Sequence, residues 1–234
     1  MPGDLAQAQE FLLRKPLERV QGLASLRRGT ARVLAQRGDG VLMYETMGEV
    51  PLLFTDSGQA VAALLDSLPQ TGVLVSDNPG MDPYIVERLG FTNRQECINV
   101  VYQSEQPISL QMDLHLKPLQ VADAPLVSAH YSIHDLETLE IFLRAGQILG
   151  GYAGDTLVGF TGWHEEGSMG MLHVFEPYRR KGYAYAMEAL QINLMLKRQE
   201  IPYGQVIVGN HASLALQQKL GLVASSGTVS WLFT

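Results

Sequence analysis

The order of apolar and polar positions divides the chain into short helices and strands. Two helical patterns fill residues 4–28 and are interrupted near Pro16, where a proline ring prevents helix continuation. Strands are expected at 31–35, 41–44, 50–54 and 73–75, and residues 91–102 form either one long strand or a pair. Further helices are expected from a cap at Asp56 or Ser57 to about residue 68, and at 83–89.

A polar, proline-containing segment at 104–107 marks the expected domain boundary, which gives domains 1–107 and 108–234. The linking stretch 108–116 alternates and predicts a strand that joins the halves. The helices expected after it are 122–130, 134–144, 182–198 and 212–220. The strands expected there are 147–153, 156–163, 169–175, 204–208, 222–225 and 228–233.

The two halves resemble each other when one is shifted by 131 positions. Residues 87–91 then lie on residues 218–222, and residues 99–102 lie on residues 230–233. Self-similarity at a fixed spacing indicates that the same supersecondary unit occurs twice.

Composition indicates a globular protein and excludes several classes of partner. Of 234 residues, 46% are hydrophobic and 18% charged, and the net charge is −7, which argues against general binding to nucleic acid or to anionic membranes. No apolar run is long enough to span a bilayer, and residues 1–10 lack the apolar core of a signal peptide, so a cytoplasmic protein is expected. The single cysteine, Cys97, permits no internal disulfide, and we expect a buried, inert thiol and no metal site.

One stretch carries a local excess of positive charge in this acidic chain. The expected strand at 169–175 is followed by Arg179, Arg180 and Lys181, then by Gly182 and the start of a long helix. Backbone N–H groups are unpaired at a helix start, and the helix dipole adds positive potential there. Gly182 lets an anion approach the main chain closely, so the stretch predicts a phosphate cradle.

The same residues carry a family resemblance. Arg179-Arg180-Lys181-Gly182-Tyr183-Ala184 fits the pattern (Gln/Arg)-x-x-Gly-x-(Gly/Ala) and resembles the pyrophosphate-binding signature of the GNAT superfamily of N-acetyltransferases. The element order βααβββαβαβ over about residues 114–234 is also that of a GNAT domain. The resemblance implies an α/β (α+β) fold of tandem GNAT-like domains, each a mixed, mainly antiparallel sheet flanked by helices.

The N-terminal copy departs from this signature. Its corresponding turn is Thr55-Asp56-Ser57-Gly58, which is acidic and contains no arginine or lysine. A pyrophosphate there would meet a carboxylate, so this copy is not expected to bind coenzyme A in the usual way.

A second, weaker signature lies near the C-terminus. Asn210-His211-Ala212-Ser213 opens a helix that closes in Lys219-Leu220-Gly221-Leu222. By resemblance, Asn210 and Ser213 hold the pantetheine arm, and the strand positions Leu172 and Val174 pair with its amides. Asn210 also suits a helix N-cap, and Gly221 suits a left-handed stop.

The general acid and general base are less well defined. Many family members have a tyrosine where this chain has Gln217, and glutamine cannot supply an acid proton. Either another group acts as the general acid, namely Tyr183, Tyr185, Ser213 or water, or no general acid is needed. For the base the order of preference is Glu166 or Glu165, then His173. His164 and Ser168 are nearby alternatives, and residues 165–168 also suit a plain solvated turn.

The two-domain layout, ending in Trp231-Leu232-Phe233, also resembles the glycine N-acyltransferases. Their glutamate base aligns with Ser168, which cannot act alone as a base. The resemblance therefore extends to the architecture and not to glycine as substrate.

The sequence predicts an N-acyltransferase that moves acetyl from acetyl-CoA to a small amine by direct attack in a ternary complex. The alternatives are a coenzyme A-binding sensor without turnover and an interaction scaffold that binds no coenzyme A. No nucleic-acid or membrane partner is expected, and an edge strand near the C-terminus could support a homodimer.

Overall fold

The computed structural model describes residues 4–234. Residues 1–3, which belong to the first expected domain and to the segment 1–10, lie outside the described residues. The helices of the described range are α1 (Leu5–Leu12), α2 (Val20–Arg28), α3 (Val61–Leu65), α4 (Asp82–Leu89), α5 (Ala124–Ser128), α6 (Leu136–Arg144), α7 (Tyr183–Lys197) and α8 (His211–Lys219). Its strands are β1 (Ala31–Arg37), β2 (Gly40–Glu45), β3 (Val50–Thr55), β4 (Val73–Ser76), β5 (Asn93–Val101), β6 (His115–Pro118), β7 (Ile148–Ala153), β8 (Thr156–Trp163), β9 (Met169–Val174), β10 (Tyr203–Ile207) and β11 (Val223–Phe233). Within residues 4–234 no helix is both long and apolar enough to cross a membrane.

Packing divides the chain into two compact units, which are described separately. Unit 1 contains the chain up to Gln103 together with Glu165–Gly167 and Tyr203–Thr234, and unit 2 contains Ser104–His164 and Ser168–Pro202. The last elements of the chain thus pack with the N-terminal half. The expected domains 1–107 and 108–234 were drawn from the linker and the repeat in the sequence and not from packing. Their bounds stay a prediction.

The sheet of unit 1 has the strand order β1-β2-β3-β4-β11-β5-β10. The C-terminal strand β11 pairs antiparallel with β4 on one side and with β5 on the other, while β3 and β4 are parallel. Adding 131 to the bounds of β4, α4 and β5 gives 204–207, 213–220 and 224–232, close to β10, α8 and β11. The repeated sequence therefore gives elements of the same type in the same order.

Unit 2 is an antiparallel sheet with the strand order β6-β7-β8-β9. Alternating residues of β8 face opposite sides: Val158 packs with Met187 of α7, and Phe160 packs with Phe142 of α6. The mixed, mainly antiparallel sheets with flanking helices confirm the predicted fold class.

Three details differ from the sequence-based expectations. Neither Asp56 nor Ser57 caps a helix, because α3 begins only at Val61 and both polar side chains have other partners, Arg19 and Asp39. The alternating stretch 108–116 is not a strand before His115. Residues 223–233 form one strand with a bulge, at which the Ser225 hydroxyl accepts from the Asn99 N–H at 3.1 Å.

The acidic turn of the N-terminal copy is neutralised from within unit 1. The fully buried Arg19 guanidinium donates to Asp77 through Nε and to Asp56 through Nη2, both at 2.7 Å, and to the Phe11 carbonyl at 2.9 Å. Asp77 also accepts the Thr55 N–H at 2.7 Å. Burial raises the pKa of Asp77 despite the neighbouring guanidinium. An internal cation thus satisfies the carboxylates of this turn.

Cys97 lies in the core of unit 1 and is 4% exposed. It is paired with Val229 of β11 on one side and with Ile207 of β10 on the other. Burial, with a smaller contribution from Glu96, raises the pKa of its thiol to about 11. Because the thiolate is the reactive form, these surroundings agree with the predicted inert thiol.

Replacing Arg19 by methionine should lower the free energy of unfolding by about 3–5 kcal/mol, because it leaves the buried Asp77 carboxylate without its partner. Urea unfolding followed by circular dichroism measures the effect. The matched control is Arg14→Met, since Arg14 is 57% exposed and only 3.5 Å from Asp56, and it should change stability by less than about 1 kcal/mol. Equal losses in the two variants would contradict the assigned role of Arg19.

Candidate phosphate-binding site

The strand that leads into the cradle is irregular in the middle. Pairing between β8 and β9 joins Phe160 to His173 and Gly162 to Gly170, with a shift in register between them. Met171 lies in this bulge with φ of +56°, a conformation that non-glycine residues rarely adopt. A bulge leaves one residue without its ladder partner, so backbone groups of β9 are free of the regular pairing there.

Side chains of β9 alternate across the sheet as predicted. Leu172 and Val174 are half-buried with Met187 and other residues of the α7 side, whereas Met171 packs with α5 and α6. His173 faces the same side as Met171, since its ring stacks on that of Phe160 with centroids 5.5 Å apart. His173 therefore faces the side of the sheet opposite to Leu172 and Val174.

The turn between β9 and α7 contains two residues with positive φ. After a single 3₁₀ turn, Glu176–Tyr178, Arg180 has φ of +62° and Gly182 has φ of +88°. Glycine adopts this conformation readily, but for arginine it is uncommon and costs energy. Gly182 is the N-cap of α7 and provides no side chain to bond the first-turn N–H groups, and that turn contains no acid. The helix start therefore has the backbone donors and the positive dipole end that attract an anion.

The three cations differ in how they are held. Arg179 donates through Nε to the Val174 carbonyl at 3.1 Å, and Lys181 donates through Nζ to the Pro177 carbonyl at 3.0 Å. The Lys181 ammonium also lies 5.7 Å from the centre of the Tyr178 ring. All three cations are exposed. Local anchors thus keep two cations beside the turn while their remaining donors stay available.

The helix that carries the cradle is fixed to its sheet by buried polar bonds. The Thr161 hydroxyl of β8 donates to the Gln191 Oε1 at 2.7 Å, and the Gln191 Nε2 donates to the Gly162 carbonyl at 2.5 Å. Buried bonds of this kind fix both the rotation and the position of a helix. They hold α7, and with it the cradle, in a set position on β8.

The second signature lies in unit 1. The Asn210 side chain accepts the Ser213 N–H at 3.1 Å, which confirms Asn210 as the N-cap of α8. Gly221 follows the helix with φ of +85°, which confirms the left-handed stop. Gln217 is 5% exposed. The contact of Asn210 and Ser213 with pantetheine stays a prediction.

The two glutamates proposed as base occupy different surroundings in the loop between β8 and β9. Glu165 is exposed, whereas Glu166 is 5% exposed. The Glu166 carbonyl accepts from the Arg28 Nη2 and, at 3.0 Å, from the Tyr203 hydroxyl. Burial raises the pKa of Tyr203, so its hydroxyl keeps the proton that it donates. These bonds fix the loop backbone at Glu166, and Ser168 beyond it is also buried.

His173 has a partner that sequence reasoning missed. Its ring stacks on His130, which follows α5, with centroids 4.5 Å apart. Burial lowers the pKa of His173 below its ordinary 6.5, and the charges of His130 and Arg179 lower it further. Histidines separated by 43 positions give no local signal, and only the fold brings them together. Among residues 4–234 no group of three or more His, Cys, Asp or Glu side chains is placed to hold a metal.

Searches against protein-family models and against curated proteins found no match to the chain. Solved structures match over almost the whole length. A Drosophila protein is 16% identical with a TM-score of 0.68, covering 100% of this chain and 98% of that one. A GCN5-related N-acetyltransferase from Kribbella flavida is 12% identical, with a TM-score of 0.53 and coverage of 93% and 95%. A GCN5-related N-acetyltransferase-like protein from Streptococcus suis is 18% identical, with a TM-score of 0.53 and coverage of 99% and 100%.

At these identities the likeness concerns the fold. The chain has the fold of the GNAT acetyltransferases, as its two sequence signatures predicted. A shared fold does not determine the activity, the substrate or the cofactor, which depend on the residues of the site.

The stability of the chain should fall as the pH drops below about 6.5, the ordinary pKa of histidine. The unfolded chain takes up a proton at that pH, while the lowered pKa keeps His173 neutral in the folded state, so protonation favours unfolding. Replacing His173 by phenylalanine keeps an aromatic ring in the stack and should reduce this fall. Urea midpoints at pH 7.5 and 5.5 measure it; an equal fall in both proteins would contradict the assignment.

Proposed function

We propose that the chain is an acyl-CoA-dependent N-acyltransferase, with acetyl-CoA as acyl donor and a small amine as acceptor. The observation that carries the proposal is the turn before α7, where Arg180 and Gly182 both have positive φ beside an uncapped helix start. Strain at a residue other than glycine persists where the surrounding structure imposes it, and it is concentrated at binding sites.

The residues of this turn fit a pyrophosphate. The turn and the first turn of α7 supply main-chain N–H groups, and Arg179, Arg180 and Lys181 supply exposed positive charge. Gly182 keeps the main chain accessible, and Tyr183 and Ala184 begin the helix. In the proposal these six residues hold the pyrophosphate, and Leu172 and Val174 offer strand backbone to pantetheine.

A bound acyl-CoA supplies an acyl group activated as a thioester, and the acceptor amine must lose a proton as it takes that group. His173 suits the role of base, because its lowered pKa leaves the imidazole neutral near pH 7. Glu165 is exposed and reachable, whereas burial restricts the reach of Glu166. The surroundings therefore favour His173 and Glu165 over Glu166, which the sequence had placed first.

A module that binds coenzyme A without turnover is the second candidate. It is favoured by Gln217, which occupies the place where a tyrosine would act as acid and has no acidic proton to give. The proposed cytoplasmic location rests on the sequence alone. The edge strand expected near the C-terminus is wrong, because β11 pairs with β4 on one side and β5 on the other, so it does not support the proposed homodimer.

Calorimetric titration with acetyl-CoA tests the cradle. The native chain should bind with micromolar affinity, and Arg180→Glu should weaken binding at least about tenfold, because it places a carboxylate beside the pyrophosphate. The matched control is Lys197→Glu, which makes the same charge change in the last turn of the same helix. Its affinity should stay within about twofold, since the charge lies far from the site at moderate salt.

Failure of the folded native chain to bind acetyl-CoA would contradict the acyltransferase proposal. Equal weakening by Arg180→Glu and Lys197→Glu would show that general charge, and not the cradle, governs binding. Binding with no release of free thiol across a panel of amines would favour the silent module.

The base is tested by kinetics in a thiol-release assay with an accepted amine. His173→Gln should lower kcat about 100-fold and leave the binding of acetyl-CoA unchanged, because removing a general base affects proton transfer. Glu165→Gln and Glu166→Gln are measured beside it. If only a glutamate variant loses kcat, that glutamate is the base and His173 is not.

A further inference from the structure

The segment 104–114, here called the strap, is the first part of unit 2 and precedes β6. It has no helix or strand, but alternate side chains, Ile108, Leu110, Met112 and Leu114, are half-buried or buried. The sequence had interpreted this alternation as a strand. It has another cause, because Leu110, Met112 and Leu114 belong to an apolar cluster with residues of α7, β8 and β9, while the segment itself lies in no strand ladder.

The strap is fixed at Ile108 by Asn193 on α7. The Ile108 N–H donates to the Asn193 Oδ1 at 2.8 Å, and the Asn193 Nδ2 donates to the Ile108 carbonyl at 2.9 Å. A side-chain amide thus makes the pair of bonds that a neighbouring strand would make. Both backbone groups of Ile108 are satisfied without a ladder.

The other end of the strap lies at the cradle. A Cβ at position 182 would lie 3.3 Å from the Met112 Cε, so this methyl group packs against Gly182. Leu110 and Met112 belong to the same apolar cluster as Tyr183 and Met187.

The two anchor points are compatible in distance, because the Asn193 and Met112 side chains bridge the difference between the helix rise and the shorter strap. From Gly182 to Asn193 the helix rises about 16 Å, at about 1.5 Å per residue. From Ile108 to Met112 an extended chain spans at most about 14 Å. The strap therefore runs nearly straight along α7, antiparallel to it, and ends at the residue that caps the helix.

We propose that the strap positions the phosphate-binding turn, with Met112 as a positioning residue that braces Gly182 for the phosphates of acyl-CoA. This inference rests on the proposed function of the same turn. Arg180 and Gly182 are held in left-handed conformations, and such a turn keeps one shape only if its neighbours restrict it. Bracing lowers the entropy lost on binding, because the donors already have the bound arrangement.

The test compares two methionine variants with a control in another apolar cluster of unit 2. Met112→Ala should weaken the binding of acetyl-CoA and of dephospho-CoA by about fivefold alike, since both ligands contain the pyrophosphate. Met112→Leu, of similar volume, should restore affinity to within about twofold. The control Leu139→Ala removes similar apolar bulk from α6, outside the strap, and should lower the melting temperature at least as much as Met112→Ala, with affinity unchanged. Asn193→Ala frees the far anchor and should act in the same direction as Met112→Ala.

The outcomes separate the two proposals. If the native chain binds acetyl-CoA and Met112→Ala binds as well as the native chain, the strap has no positioning role and the proposed function stands. If Leu139→Ala weakens binding as much as Met112→Ala, the effect is general loss of stability and the inference is wrong. If the native chain binds neither ligand, both proposals fail.

Discussion

The structure depends on the backbone pairing of the last strand with strands from the first half of the chain. β11 lies between β4 and β5 and satisfies an edge of each, with Trp231 paired to Val75 on one side and Gln95 on the other. A fragment that ended at Gln103 would expose both edges, which favours association with other chains. Folding of unit 1 therefore requires residues from both ends of the sequence, and the two sequence halves cannot be separated at the linker without loss of this sheet.

The repeat at 131 positions and this pairing are linked. β4 corresponds to β10, and β5 corresponds to β11, so in the order β4-β11-β5-β10 the counterparts β5 and β11 pair with each other and β4 and β10 lie on the two outer sides. The two turns that follow the corresponding strands β3 and β9 have diverged in charge. Around the first, Arg19 supplies the positive charge internally to Asp56 and Asp77. In the second, Arg179–Lys181 remain exposed, and the site is available to an external anion.

Local signals predicted much of this structure. The spacing around Gly182 predicted the strand, the turn and the helix start, because these elements are contiguous, and Asn210 was predicted as a cap for the same reason. Contacts between distant residues left no such signal: Arg19 with Asp77, and His130 with His173, are pairs that only the fold brings together. The strap shows a different failure, since period-two alternation reports one buried side and does not say whether a sheet or a helix covers it.

Binding at the cradle can be followed by the backbone amide chemical shifts of the labelled protein while acetyl-CoA is added. Because the cradle is proposed to bind the pyrophosphate through main-chain N–H groups, the largest downfield shifts should fall at Gly182, Tyr183 and Ala184. The amides of the corresponding N-terminal turn, Thr55–Gly58, should stay in place. Shifts confined to that turn, or saturation without any change at residues 182–184, would contradict the central claim.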